Sequence, residues 1–190
     1  MIWVKKYSAR YTLKSEKYIE DITYKYACPV QALLQIAYME GIIVYSPKEI
    51  QDTYNKLWNY CKITQYAEYR GIAFGEGTTT NAENGFLRFA KEAGYINTDS
   101  AATNNPTVLW ITDKLLRNYP VLMTYGINVN GSRSGHAISI LGYREAKASS
   151  DGRTYDYLQV YNSLDDTCVF LNYSTVDFMD CRAICFDVKK

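Results

Sequence analysis

Cys28 opens an apolar helical stretch of the chain. A thiol is the side chain whose deprotonated form is a strong nucleophile, and a helix N-terminus favours that form. The unpaired N–H groups and the positive end of the helix dipole there stabilise the thiolate and lower its pKa. His136 is the only histidine in the chain, so any imidazole chemistry must use it. Gly135 precedes it, and small and apolar residues alternate from His136 to Tyr143. That pattern predicts a strand with the imidazole at its mouth. Asn162 closes a third segment and shares strand parity with Leu158 and Val160. If the two strands pair antiparallel, its amide meets the ring and fixes the histidine tautomer. Asp165 and Asp166 are alternative third members. Each residue alone has a plainer reading: a small buried thiol, a satisfied structural histidine, the start of a turn.

The elements that must position these residues can be read from spacing. Residues 1–26 have no clean helical period and read as an extended arm. Val30, Leu33, Leu34 and Ala37 then form one apolar helix face, with Pro29 in the first turn and Gly41 at the end. Ser46-Pro47-Lys48-Glu49 is a capping box for a second helix with Ile50, Tyr54, Leu57 and Trp58 on its buried face. Residues 71–79 are rich in Gly and Thr and read as a loop. Thr80 with Glu83 reads as the cap of a third helix, which Gly94 stops. A fourth runs from about Thr107 to Asn118.

From there the period changes to that of strands. The expected strands are Val121–Tyr125, His136–Tyr143, Tyr157–Asn162, Cys168–Leu171 and Arg182–Val188, with loops at Asn128–Ser134 and Ala146–Thr154. Helices first and strands second give an α+β fold. The expected layout is one domain over 1–190. A helical lobe over about 1–118 packs on a β lobe over 119–190, with a groove between them.

Composition removes several classes of function. Lys plus Arg is 21 and Asp plus Glu is 20, a net charge of +1, so the basic footprint of a nucleic-acid partner is missing. No run of 18 apolar residues exists, which predicts no membrane span. One histidine and no CxxC pair leave no zinc pattern. Gly75-Glu76-Gly77-Thr78-Thr79 lacks the lysine of a phosphate loop. The expectation is therefore no metal, no nucleotide and no organic cofactor. Five cysteines are an odd number. Cys61, Cys168, Cys181 and Cys185 are either two disulfides or reduced packing residues, and the second reading is preferred.

Taken in order, the chemistry-bearing segments resemble the papain-like cysteine peptidases, in particular the bacterial C39-like group. Cys28-Pro29 stands at the family's Cys-Gly-Pro helix start, and Gly135-His136-Ala137 with Gly142-Tyr143 matches its Gly-His strand. Gly94-Tyr95 and Pro120-Val121 fit the sequence between, so the resemblance covers roughly residues 20–190. It implies a papain-like fold and a peptide or protein substrate. It implies acyl transfer by a thiolate–imidazolium pair of Cys28 and His136, with Asn162 orienting the ring and the Cys28 N–H in the oxyanion hole. A secreted or cell-surface place in a bacterium accompanies it, although no signal peptide is visible at Met1.

Two departures stand out. The family's oxyanion Gln lies about six residues before the nucleophile, where this chain has Ile22. Thr23, Tyr24 or Tyr26 could supply a hydroxyl instead, and Gln31 follows on the helix. Ser163-Leu164-Asp165 replaces the Ser-Trp-Gly that often follows the Asn. Two further readings therefore stand beside the peptidase: a catalytically silent peptide-binding domain, and a thiol acyltransferase or amidase.

Overall fold

The computed structural model describes residues 2–7, 16–129, 132–164, 168–174 and 179–190. Its frame is an antiparallel sheet with helices on both faces. The strands are β1 (Ile2–Tyr7), β2 (Lys25–Tyr26), β3 (Thr64–Tyr69), β4 (Ile72–Glu76), β5 (Asp99–Asn104), β6 (Val121–Val129), β7 (Ser132–Lys147), β8 (Thr154–Tyr161), β9 (Val169–Asn172) and β10 (Met179–Asp187). The helices are α1 (Glu16–Thr23), α2 (Cys28–Met39), α3 (Pro47–Tyr60), α4 (Thr79–Glu92) and α5 (Val108–Leu116). The main sheet runs β5-β10-β6-β7-β8-β9, with β1 on the far half of β7. A small second sheet runs β2-β4-β3.

Strand alternation builds two cores. Leu122, Ala137, Leu141, Ile184 and Phe186 face α2, α3 and α4, and the Phe86 and Phe186 rings lie 4.5 Å apart. Val121, Met123, Ile138, Ile140, Ala183 and Cys185 face the other way, onto Ile111 and Leu115 of α5. The fourth expected helix thus covers the opposite face of the sheet from the other helices.

The helix ends follow local chemistry. Ser46 Oγ accepts from the Glu49 N–H, and Thr107 Oγ1 from the Trp110 N–H, as caps. The third cap differs from the expectation. Thr78, not Thr80, accepts from the Asn81 N–H, while Glu83 pairs with Arg182 at 3.1 Å. Gly41 (φ +66°) and Gly94 (φ +91°) terminate α2 and α4 in the left-handed region.

Three expectations fail. The arm of 1–26 contains α1, whose Ile19 and Ile22 pack into the helix-side core. The loop of 71–79 is largely β4, paired with β3 and, in parallel, with β2. Gly71 (φ +79°) makes the turn into β4, but Gly75 and Gly77 allow packing rather than turning. A Cβ at Gly75 would stand 2.5 Å from Trp58 Cη2, and one at Gly77 would stand 2.7 Å from Ile63 Cδ1. The helical half also contributes β5 to the main sheet, since Asp99–Asn104 pairs with Asp187–Arg182 of β10. Smaller shifts follow from pairing. The loop of Asn128–Ser134 is mostly strand, because β6 and β7 pair out to Val129 and Ser132. Among the described residues, no helix is long and apolar enough to cross a membrane.

Candidate active site

Cys28 is the first residue of α2, and the way the chain enters that helix is well fixed. The N-cap is Ala27, whose side chain cannot cap. Its buried N–H donates instead to Tyr54 Oη of α3 at 2.8 Å, and its carbonyl accepts from Val30 and Gln31. Further along, Ser139 Oγ of β7 donates to the Ala32 carbonyl at 2.6 Å. That bond ties the helix to the strand one turn from Cys28 and three residues from His136.

His136 sits in β7 directly opposite Tyr125 of β6. The two rings meet edge to face at 5.9 Å and 85°. Burial lowers the histidine pKa, and a hydrogen bond to the main chain of Asn162 works against that shift. Nε2 is buried without a hydrogen-bond partner, so the bond to Asn162 is made by the other ring nitrogen. A bond that raises a histidine pKa is one in which the ring N–H donates, here to the Asn162 carbonyl. The tautomer is thereby fixed, with the lone pair on Nε2.

Asn162 contacts the ring through its main chain, not through the amide that strand parity pointed to. Asn162 lies just beyond β8, and its side-chain Oδ1 accepts from the Leu164 N–H at 3.1 Å in a tight turn. Strand parity assigns the work to the amide. The turn engages the amide oxygen, and the carbonyl accepts from both the ring and Ser163 Oγ, the latter at 2.6 Å. Asp165 and Asp166 lie outside the described residues.

Cys28 and His136 line one cleft of about 450 Å³. One wall is the β6–β7 ladder with Tyr125, Gly126, Gly135 and His136, and the other is the β3–β4 hairpin with Tyr66 and Glu76. Burial raises the Tyr125 pKa to about 12, with the nearby Cys28 as the next cause, so the phenol stays protonated. Sequence reasoning missed Tyr66 and Tyr125. Tyr125 had a signal, because it ends a strand that must pair with the His136 strand. Tyr66 had none, because β3 is exposed at every position and has no buried stripe.

None of the three hydroxyls expected to replace the missing Gln lines this cleft. Thr23 Oγ1 donates within 2.7 Å of the Ile19 carbonyl and closes α1. Tyr24 is exposed, and Tyr26 packs on Phe74. Gln31 is fully buried with both amide atoms unpartnered, and it does not line the cleft either. All five cysteines are free thiols. Cys61 and Cys181 are pushed up to about 12 and about 11 by burial, as inert packing thiols are. Among the described residues, no group of three or more His, Cys, Asp or Glu side chains could hold a metal.

Comparison with protein families and with curated proteins finds no match. Among solved structures, the chain is similar to the active wild-type interpain A cysteine protease of Prevotella intermedia. The likeness has a TM-score of 0.49 and 14% identity, and it covers 74% of this chain and 57% of that one.

Proposed function

We propose that this protein is a thiol acyl-transfer enzyme, and specifically a cysteine peptidase with Cys28 as nucleophile and His136 as base. The observation that carries the reading is that two residues far apart in the chain line one cleft. The chain's single histidine, its ring fixed by the Asn162 carbonyl, shares a cleft with the cysteine that starts α2. The order of the segments, which resembles the papain-like peptidases, supports it.

The chemistry follows from the tautomer. Nε2 carries the lone pair, so it takes the thiol proton as Cys28 Sγ attacks the carbonyl carbon of a peptide bond. Catalytic hydrogen bonds are often made only in the substrate complex. The negative oxygen forms in front of the α2 N-terminus, where main-chain N–H groups and the helix dipole stabilise it. Collapse breaks the C–N bond, and the leaving amine takes the proton from His136. Water then attacks the thioester, gives a proton to His136, and releases the acid as the proton returns to sulfur.

A peptide library incubated with the protein at pH 7 tests the proposal. New peptide ends that vanish in both Cys28→Ala and His136→Ala are expected, and an added amine that captures the acyl group distinguishes transfer from hydrolysis. The same new ends in Cys28→Ala would refute it. One observation favours the second reading, a silent peptide-binding domain: the residue six before Cys28 is Ile22, and among the described residues no side-chain amide lines the cleft. Peptide binding without new ends would select that reading.

A further inference from the structure

Eight glycines have surroundings that the structure describes, and seven have an internal reason to be glycine. Gly41, Gly71, Gly94 and Gly152 have positive φ. Gly75, Gly77 and Gly85 are in contacts that a Cβ would bring below 3 Å. Gly135 is different. Its φ lies outside the left-handed region, and an added Cβ would meet no atom within 4 Å. Neither the backbone nor the neighbours demand a glycine, and a glycine inside a strand weakens it.

Its position supplies a reason. Along β7, Leu141, Ser139 and Ala137 alternate on the face that carries α2: two lie in the helix-side core and Ser139 bonds to Ala32. Gly135 is next in that row by parity. Across the ladder, Leu122, Thr124 and Gly126 stand opposite Ser139, Ala137 and Gly135. The side chains shrink toward the start of the helix and end in a Gly126–Gly135 rung in the cleft wall that holds Cys28 and His136. Facing it is Tyr66, at an irregularity in β3 where the register shifts between Gln65 and Ala67. A bulge of this kind re-aims a side chain, and Tyr66 remains 63% exposed while lining the cleft.

We propose that the Gly126–Gly135 rung is a bare-backbone shelf for an extended peptide, with Tyr66 covering the peptide from the other wall. Gly135 is then the residue that sets how large a substrate side chain fits beside Cys28. This deepens the proposed peptidase function and rests on that reading for its choice of ligand.

The test compares two electrophiles at one thiol, with modification at Cys28 followed by mass spectrometry. Iodoacetamide is small enough to ignore the shelf. Acetyl-dipeptidyl chloromethyl ketones ending in Ala, Leu, Phe or Arg must lie on it. In Gly135→Val the dipeptidyl rate should fall at least about tenfold relative to the iodoacetamide rate, and Gly135→Ala should lose least with the Ala reagent. Tyr66→Ala removes an exposed side chain, so it leaves the fold intact. It should lower the same ratio several-fold. An unchanged ratio in Gly135→Val and Tyr66→Ala would overturn the proposal. So would a parallel loss of both rates in Gly135→Val, which marks a structural glycine. Failure of the peptidase reading has a separate signature: native Cys28 then reacts with iodoacetamide like an ordinary thiol, whether or not the ratio responds to Gly135.

Discussion

Replacing Tyr54 by Phe removes one oxygen atom and tests how the site's helix is started. Tyr54 is fully buried, and its hydroxyl accepts from the Ala27 N–H at 2.8 Å. Ala27 is itself fully buried, so no water replaces the lost acceptor. A buried donor left without a partner costs about 1–3 kcal/mol. Part of that returns, because the variant no longer buries a hydroxyl, and the net loss should be about 1–2 kcal/mol. For a chain of this size that lowers Tm by about 2–8 °C. Urea unfolding gives the free energy, and alkylation at Cys28 gives the effect on the site. Ala27 is the residue before Cys28, so the thiol should also lose some of its helix-terminal activation. A Tyr54→Phe variant as stable as the native protein, within about 0.5 kcal/mol, would refute the claim that this bond organises the start of α2.

Gly85→Ala sets helix propensity against space. The substitution gains about 1 kcal/mol as a helix residue. The new Cβ would lie 2.7 Å from the Cys61 nitrogen and 2.9 Å from its Cα, backbone atoms that cannot swing away. Overpacking of this kind costs about 1–3 kcal/mol, so a net destabilisation is expected in urea, and a gain would contradict the packing of α4 on α3. Gln31→Leu keeps the volume and removes two buried, unpartnered amide atoms, so stability should rise by about 1–2 kcal/mol. A fall would reveal a partner for that amide, such as ordered water. His136 makes the protein less stable in acid. Its folded pKa is lowered below the ordinary 6.5, so the unfolded chain binds the proton first. Stability is complete above about pH 6.5 and declines as the pH falls toward the folded pKa. His136→Asn should remove that part of the slope measured between about pH 6.5 and 5, and an unchanged slope would contradict the burial of the ring.

The parts of the fold that were legible share one property: their own residues carry the pattern. The stripe Val30-Leu33-Leu34-Ala37, the cap at Ser46, the start of the fourth helix at about Thr107, and the alternation from His136 to Tyr143 are local statements, and the structure matches each. The elements that went unread are made by their surroundings. Asp99–Asn104 has no aromatic or β-branched residue but Thr103, and it is a strand because β10 offers an edge. Gly75 and Gly77 look like loop punctuation, yet they are small so that Trp58 and Ile63 can close on β4. Cys28 and His136 could be named from type, order and neighbours. The atom of Asn162 that holds the ring could not, because a turn at Asn162–Leu164 decides between amide and carbonyl.

Whether His136 serves Cys28 as a base is tested most directly by the rate of Cys28 alkylation by iodoacetamide against pH. In the native protein the midpoint should lie below the value of about 8.5 of an ordinary thiol. In His136→Ala it should move up toward that value, with a slower rate at about pH 7. A native midpoint near that of an ordinary thiol, left in place by the substitution, would contradict the account. Cys28 would then be a thiol at the start of a helix and nothing more.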